Sequence, residues 1–179
     1  MKKNKFYEID DSCSIDKGFK IYPGVVIEKN CKIGKNVTIQ NGTLISNNCE
    51  IGDNVFIGPF TVIRDKTKIK NNCVVGPHCE IVRSQLKNNV KIYHRTFVGD
   101  AELSEGVQIG CGTVIANSDF SNKFKTKIRK NTKVGANCTI ISPIEIGEDC
   151  FLAAGSIISK NLENKSFYRI SFEKIIKKN

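Results

Sequence analysis

A chain of 179 residues with 40% apolar content is the size of one domain with a substantial core. No apolar run approaches the ~18 residues of a membrane span, and no charged segment leads into an apolar one at the N-terminus, so a cytoplasmic protein is expected, with no membrane partner. The net charge of +10 favours anionic ligands, but Lys and Arg concentrate only in "NKFKTKIRKN" and at the C-terminus, without the interleaved aromatics of a nucleic-acid surface.

After a lead-in over residues 1–8, aliphatic residues recur every six positions from Ile9 through Ile15, Ile21, Ile27 and onward to Ile81. The count then slips by one to Leu86, Ile92 and Val98, and by one again to Leu103, Ile109 and Ile115. It resumes at Ile128 and runs to Ile158. A period of six returns each aliphatic to one face of an extended strand, whereas a helix of 3.6 residues per turn would scatter it. Asn, Asp, Gly and Lys interrupt every hexad with turn chemistry. The pattern predicts short strands joined by corners and stacked into a parallel β-helix over 9–159. With three hexads per coil, about eight coils at roughly 4.8 Å give a rod near 40 Å long. The tail, 160–179, has no evident hexad phase, and Phe172, Ile175 and Ile176 lie at helical spacing.

Seven of the eight cysteines, Cys13, Cys31, Cys49, Cys73, Cys79, Cys138 and Cys150, fall four residues after a hexad aliphatic, where Val, Thr or Ser stands in other coils. They read as small core residues, and no Cys pair has zinc-type spacing. Cys111 alone is out of phase. The largest break in the ladder, "ANSDFSNKFKTK" between Ile115 and Ile128, must leave the rod as an extruded loop near 117–127. His94, in "KIYHRTFVGD", follows Ile92 by two, so a regular strand would turn it into the core. A corner there has to turn it outward.

The strings "GPFTVIR", "HRTFVGDAEL", "IGCGTVIAN", "NKFKT" and "VGANCTIISPIEIGEDCFLAAGS" resemble the left-handed β-helix hexapeptide acyltransferases. They are similar above all to the acetyltransferase domain of the bifunctional N-acetylglucosamine-1-phosphate uridyltransferase/glucosamine-1-phosphate acetyltransferase. The resemblance implies an all-β, left-handed parallel β-helix, a homotrimer with active sites between neighbouring rods, and acetyl-CoA as co-substrate. It also implies transfer of the acetyl group to the nitrogen of an amino sugar, either a sugar phosphate such as glucosamine 1-phosphate or a nucleotide-linked sugar. The left hand rests on the resemblance, since general connection rules favour right-handed crossovers.

By the same resemblance His94 matches the general base, a role suited to a side chain that titrates near neutral pH. Glu80 matches a carboxylate that orients the imidazole, and Asn117 a residue that positions the sugar. Arg64 and Lys123 match phosphate-binding positions. Backbone amides near Cys111, Ala136 and Ala154 match the groove for acetyl and pantetheine, and Arg169 lies near a tail arginine that faces CoA. His78 matches no functional position and reads as a solvated corner residue.

Departures surround the acceptor pocket. Val82 replaces a lysine, with Arg83 adjacent. Phe97 replaces a tyrosine that touches the sugar phosphate, Gln108 an asparagine, and Ser118 a tyrosine. The uridyltransferase half has no counterpart in these residues, so a free-standing acetyltransferase is expected. Two other readings stay open: a three-histidine zinc enzyme on the same scaffold, for which two histidines are too few, and a non-catalytic trimer that binds a sugar phosphate or serves as a scaffold.

Overall fold

The computed structural model describes residues 2–4 and 6–170. They form a left-handed parallel β-helix with three sheets, one per side of a triangular prism. The first sheet holds the strands of Ile27, Ile45, Ile63, Ile81, Val98, Ile115, Ile140 and Ile158. The second holds those of Ile33, Ile51, Ile69, Leu86, Leu103, Ile128 and Ile146, and the third those of Ile39, Ile57, Val75, Ile92, Ile109, Val134 and Leu152. Parallel strands whose inner faces are wholly covered carry one aliphatic each, and from Ile27 to Ile158 these are buried in a single stack. Among the described residues there is no helix, and so none long and apolar enough to cross a membrane.

Each corner needs a residue with left-handed φ, which Asn tolerates better than most side chains. At the edge from the second sheet to the third, Asn36, Asn54 and Asn72 supply it at φ 56, 55 and 59°. Their side chains then bond coil to coil at 3.2 Å, Asn36 to Asn54 and Asn54 to Asn72. His78, at φ 55°, is exposed at another corner and stacks on Phe60 with ring centroids 5.4 Å apart.

The buried cysteines occupy the column that threonine fills elsewhere, and the reason is visible in the bonding. Thr43 and Thr61 donate to the carbonyls of Gly58 and Gly76 in the next coil, at 2.9 and 2.8 Å. Cys79 Sγ lies 3.0 Å from the Tyr93 carbonyl and Cys73 Sγ 3.1 Å from that of Lys87. Burial pushes the Cys73 thiol up to about 11, and a thiol–thiol hydrogen bond with Cys49, followed by burial, pushes the Cys31 thiol up as well. Ser156 holds the same position in the last such step, and its buried hydroxyl has no partner among the described residues.

Glycine beside the aliphatic marks close backbone approach between coils. A Cβ on Gly110 would stand 2.5 Å from the Gly135 carbonyl carbon and 2.6 Å from Ala136 N. Backbone cannot yield as a side chain does, so Gly110→Ala is expected to destabilise by about 2–3 kcal/mol. Thermal unfolding would read this as a fall of roughly 4–12 °C in Tm.

The ladder runs past both expected ends. Lys2–Asn4 pairs antiparallel with Tyr7–Ile9, and Tyr7–Ile9 is the first strand of the parallel stack. Beyond Ile158, Leu162 bridges to Ile146 and Phe167–Tyr168 pairs with Phe151–Leu152. Leu162 and Tyr168 are again six apart, after a slip that hides them from a count begun at Ile158. The helical spacing at Phe172, Ile175 and Ile176 lies outside the described residues. The extruded loop is shorter than 117–127, because Thr126 and Ile128 already pair with Ala101 and Leu103 in the second sheet.

Candidate active site

His94 sits on the edge from the third sheet to the first, at a bend between Lys91–Ile92 and Phe97–Gly99. The strand ends at Ile92, and the corner that follows, with Arg95 at φ 55° as its left-handed residue, ends the alternation that would have buried the imidazole. His94 is therefore exposed, and its ring forms no hydrogen bond to another described residue. Its carbonyl accepts Gly112 N–H at 2.9 Å, that of Cys111 accepts Asn137 N–H at 2.8 Å, and that of Ala136 accepts Gly155 N–H at 2.8 Å. These bonds climb the edge one coil at a time, so Cys111, Ala136 and Ala154 form a line of small residues above the histidine. Arg169 follows Tyr168, whose carbonyl accepts Ala153 N–H at 2.8 Å, and stands one coil above Ala153.

A second cluster occupies the other end of the first sheet, on the edge to the second. Both one-residue slips and the extruded loop fall on this edge, in consecutive coils. Where one coil turns through Arg64, Asp65 and Lys66, the next two turn on Arg83 and Asp100 alone, at φ 47 and 49°. The shortened corners bring their side chains into one chain of contacts. Glu80 Oε1 accepts from Arg64 Nε at 2.9 Å and Nη2 at 2.6 Å. Arg64 Nη1 donates to Asp65 Oδ2 at 2.8 Å, and Arg83 Nη1 to the same oxygen at 3.2 Å. Arg83 Nε and Nη2 grip Asp100 Oδ1 and Oδ2 at 2.7 and 2.8 Å. Asp100 in turn accepts from the amide of Asn117, which is 5% exposed.

Hydrogen bonds from Arg83, and then from Asn117, hold the Asp100 carboxyl below the usual carboxylate range against an opposing effect of burial. The Arg83 guanidinium is pushed up by the same pair. Asn117 also opens the loop, which is closed by Phe124 N–H on the Asn117 carbonyl at 2.8 Å and by a bridge between Ser118 and Lys123. Within it, the Asp119 carboxylate accepts the N–H groups of Ser121 and Asn122 at 3.0 and 2.6 Å, and Phe120 at φ 73° projects fully into solvent. Lys123 is exposed, and its charge adds to those that lower Asp100.

Phe97 lies between the two clusters. A Cβ on Gly99 would stand 2.6 Å from Asn117 Nδ2 and 2.9 Å from Phe97 Cε1, so the aromatic ring and the amide share the space above that glycine. Val82, between Arg64 and Gly99 in the ladder, is 1% exposed. The structure thus gathers Arg64, Glu80, Arg83, Phe97, Asn117 and Lys123 around the first sheet. Glu80 meets Arg64 rather than His94. Gln108 lies on the outer side of the third sheet, 3.5 Å from the Tyr93 hydroxyl, away from the others. Asp65 and Asp100, which link the two arginines, were not singled out in the sequence. A cavity of about 130 Å³ beside Arg83, Asp100 and Lys125 is well below the ~300–1,000 Å³ of a ligand pocket.

Comparison with known proteins agrees with this architecture. The family model described as bacterial transferase hexapeptide (six repeats) matches residues 12–47, 48–83 and 125–160, more than half of the chain. The chain belongs to the bacterial transferase hexapeptide family. Among individual hexapeptide proteins, it is similar to the bifunctional protein GlmU of Staphylococcus haemolyticus, 39% identical over 87 residues, which are 49% of this chain and 19% of that protein. GlmU of Clostridium perfringens is 41% identical over 87 residues, with the same shares covered. The chain thus aligns with about a fifth of the length of these relatives. Among solved hexapeptide structures, LpxA of Bacteroides fragilis, a UDP-N-acetylglucosamine acyltransferase, superposes with a TM-score of 0.81 at 22% identity, over 89% of this chain and 68% of that one. That likeness shows the shared fold.

Proposed function

We propose that this chain is an acetyl-CoA-dependent N-acetyltransferase of an amino sugar, working as a homotrimer with His94 as general base. The observation that carries the reading is the outward turn of His94 at the foot of the line Cys111, Ala136 and Ala154. An extended thioester can lie along such a line with its carbonyl near the imidazole and its distal phosphates toward Arg169. The acceptor amine attacks the thioester carbon, and His94 takes the proton that the nitrogen sheds. The C–S bond then breaks, and the imidazolium returns the proton to the departing thiolate. Asn117, fixed by Asp100, positions the sugar together with Phe97.

The outer side of the first sheet supports association. It presents Val26, Leu44, Val62, Phe97, Val114 and Ile157, the last two 40% and 48% exposed, where the second sheet presents Lys32, Glu50, Lys68, Glu102, Lys127 and Glu145. The test is thiol release from acetyl-CoA with a panel of amino sugars, their 1-phosphates and their nucleotide conjugates, alongside the mass of the assembly in solution. Acceptor-dependent thiol release from a trimer is expected. Release with none of the acceptors, or a monomeric mass, sinks the reading.

A further inference from the structure

Resting on the transferase reading, the outer side of the third sheet bears on which acyl group the donor carries. One residue past each aliphatic of that sheet, in consecutive coils, stand Gly58, Gly76, Tyr93, Gly110, Gly135 and Ala153. Backbone bonds tie them into one column: Gly76 N–H meets the Ile92 carbonyl at 2.8 Å, Tyr93 N–H that of Ile109 at 2.9 Å, and Gly110 N–H that of Val134 at 2.8 Å. Close approach of the coils keeps the column bare, since a Cβ on Gly58 would stand 2.6 Å from Pro77 N and one on Gly135 2.5 Å from Ala154 N. Tyr93 alone in this run carries a side chain larger than methyl. It directly precedes His94, it is exposed, and its hydroxyl reaches Gln108 Oε1 in the coil above at 3.5 Å.

In every coil the column runs one residue from the line of Cys111, Ala136 and Ala154. A thioester laid along that line therefore has Gly110 and Gly135 as its floor on the third-sheet side. Below Tyr93 the floor continues over Gly76 and Gly58, both buried, as far as Gln40. Its walls there are apolar. Phe56 and Val74, paired in register, stand on the sheet side, and Pro59, Pro77 and the stacked rings of Phe60 and His78 stand on the corner side. Two coils of about 4.8 Å each give room for several methylenes. The acyl group hangs from the end of the thioester that reaches His94, and the first-sheet side of His94 belongs to the acceptor, beside Phe97 and Asn117. Tyr93 thus stands where a longer acyl chain would have to pass.

We propose that Tyr93, steadied by Gln108, closes the foot of the donor groove and restricts the transferred acyl group to acetyl or little more. The bulk of the ring sets the limit, and the glycine floor beneath it is an acyl channel that the ring keeps shut.

The experiment compares kcat/KM for acetyl-, butyryl- and hexanoyl-CoA with the amino sugar of the panel that turns over best. In the parent protein hexanoyl-CoA is expected to be poorer than acetyl-CoA by at least about tenfold, the lower end of what one methylene is worth in a shaped pocket. In Tyr93→Gly and Tyr93→Ala the hexanoyl-to-acetyl ratio is expected to rise by at least about tenfold, and in Tyr93→Phe, which keeps the ring, to stay within about threefold of the parental value. Adding Val74→Trp to Tyr93→Gly should fill the lower floor and remove the gain. A tyrosine that only supported the fold would change the rate with all three donors alike and leave the ratio unmoved. Hexanoyl-CoA as good a donor as acetyl-CoA in the parent, or a parental ratio in both small-residue variants, overturns this proposal and leaves the transferase reading standing. Turnover with none of the donors overturns the transferase reading, and this one falls with it.

Discussion

Replacing His94 by alanine is expected to lower kcat for acetyl transfer by about 10²–10⁴-fold, the usual weight of a positioned general base. The size of that loss can be separated from any effect on folding because of where the side chain sits. The ring is exposed and bonds to no described residue, and the one coil-to-coil bond of the residue is made by its carbonyl, which alanine keeps. Arg95, which carries the left-handed φ of the bend, is untouched. The variant should therefore keep the Tm and the assembly mass of the parent to within about 0.5 kcal/mol of stability. The KM for acetyl-CoA should change little, since the proposed reading lays the thioester along the backbone of Cys111, Ala136 and Ala154 rather than on the imidazole. Steady-state rates and thermal unfolding on the same preparation decide it. Parental activity in the alanine variant removes His94 from the mechanism, and a large fall in Tm assigns it a structural role instead.

Much of this architecture was legible because a β-helix is nearly one-dimensional: a period of six fixes the face of each aliphatic and a period of three hexads fixes its neighbour one coil away. Inward aliphatics, cysteines in the threonine column and the extruded loop all follow from that count. The outward turn of His94 was legible as a necessity, though arginine at 95 carries no corner signal of the kind that Asn or Gly does, and only its phase, three residues after Ile92, marks it as the left-handed residue of that corner.

The ionic chain on the other edge was hidden for a different reason. Arg83, Asp100 and Asn117 are each 17 residues apart, one shortened coil, and Asp65 precedes Arg83 by 18, one regular coil, so the column was present in the numbers. The slips drew attention to the histidine between them in sequence, whereas in space they fall at the far end of its strand. Glu80 illustrates a further limit. Its partner was implied by the resemblance to be the histidine, and a guanidinium one coil below lies within reach instead. The continuation through Leu162 and Tyr168 was missed because Ile158 to Leu162 is a step of four, a slip of two residues, whereas the count had been re-phased only across slips of one.

Asp100→Asn tests the energetic centre of that chain. The carboxylate takes both branches of Arg83 and the amide of Asn117, and its side chain is 12% exposed. The amide that replaces it can answer one of these donors and leaves the guanidinium charge without its closest partner. A cost of about 1–3 kcal/mol is expected, less than for a fully buried pair because Arg83 is itself 39% exposed. Thermal unfolding at neutral pH should fall by roughly 2–12 °C. The pH dependence has a definite sign. Asp100 is held below its ordinary value in the folded protein, so its contribution is complete above the unfolded pKa of about 3.9 and is lost as pH falls through the folded one. The gap in Tm between parent and variant should thus be constant from pH 8 to about pH 5 and should close below about pH 4. Acetyl transfer should fall as well, since Asn117 is released from the position that Asp100 fixes, with the loss in KM for the acceptor rather than for acetyl-CoA. A gap in Tm that persists unchanged at pH 3 would mean that the variant is destabilised by packing and that the ionic chain contributes little. An unchanged KM for the acceptor would free Asn117 from any part in holding the sugar.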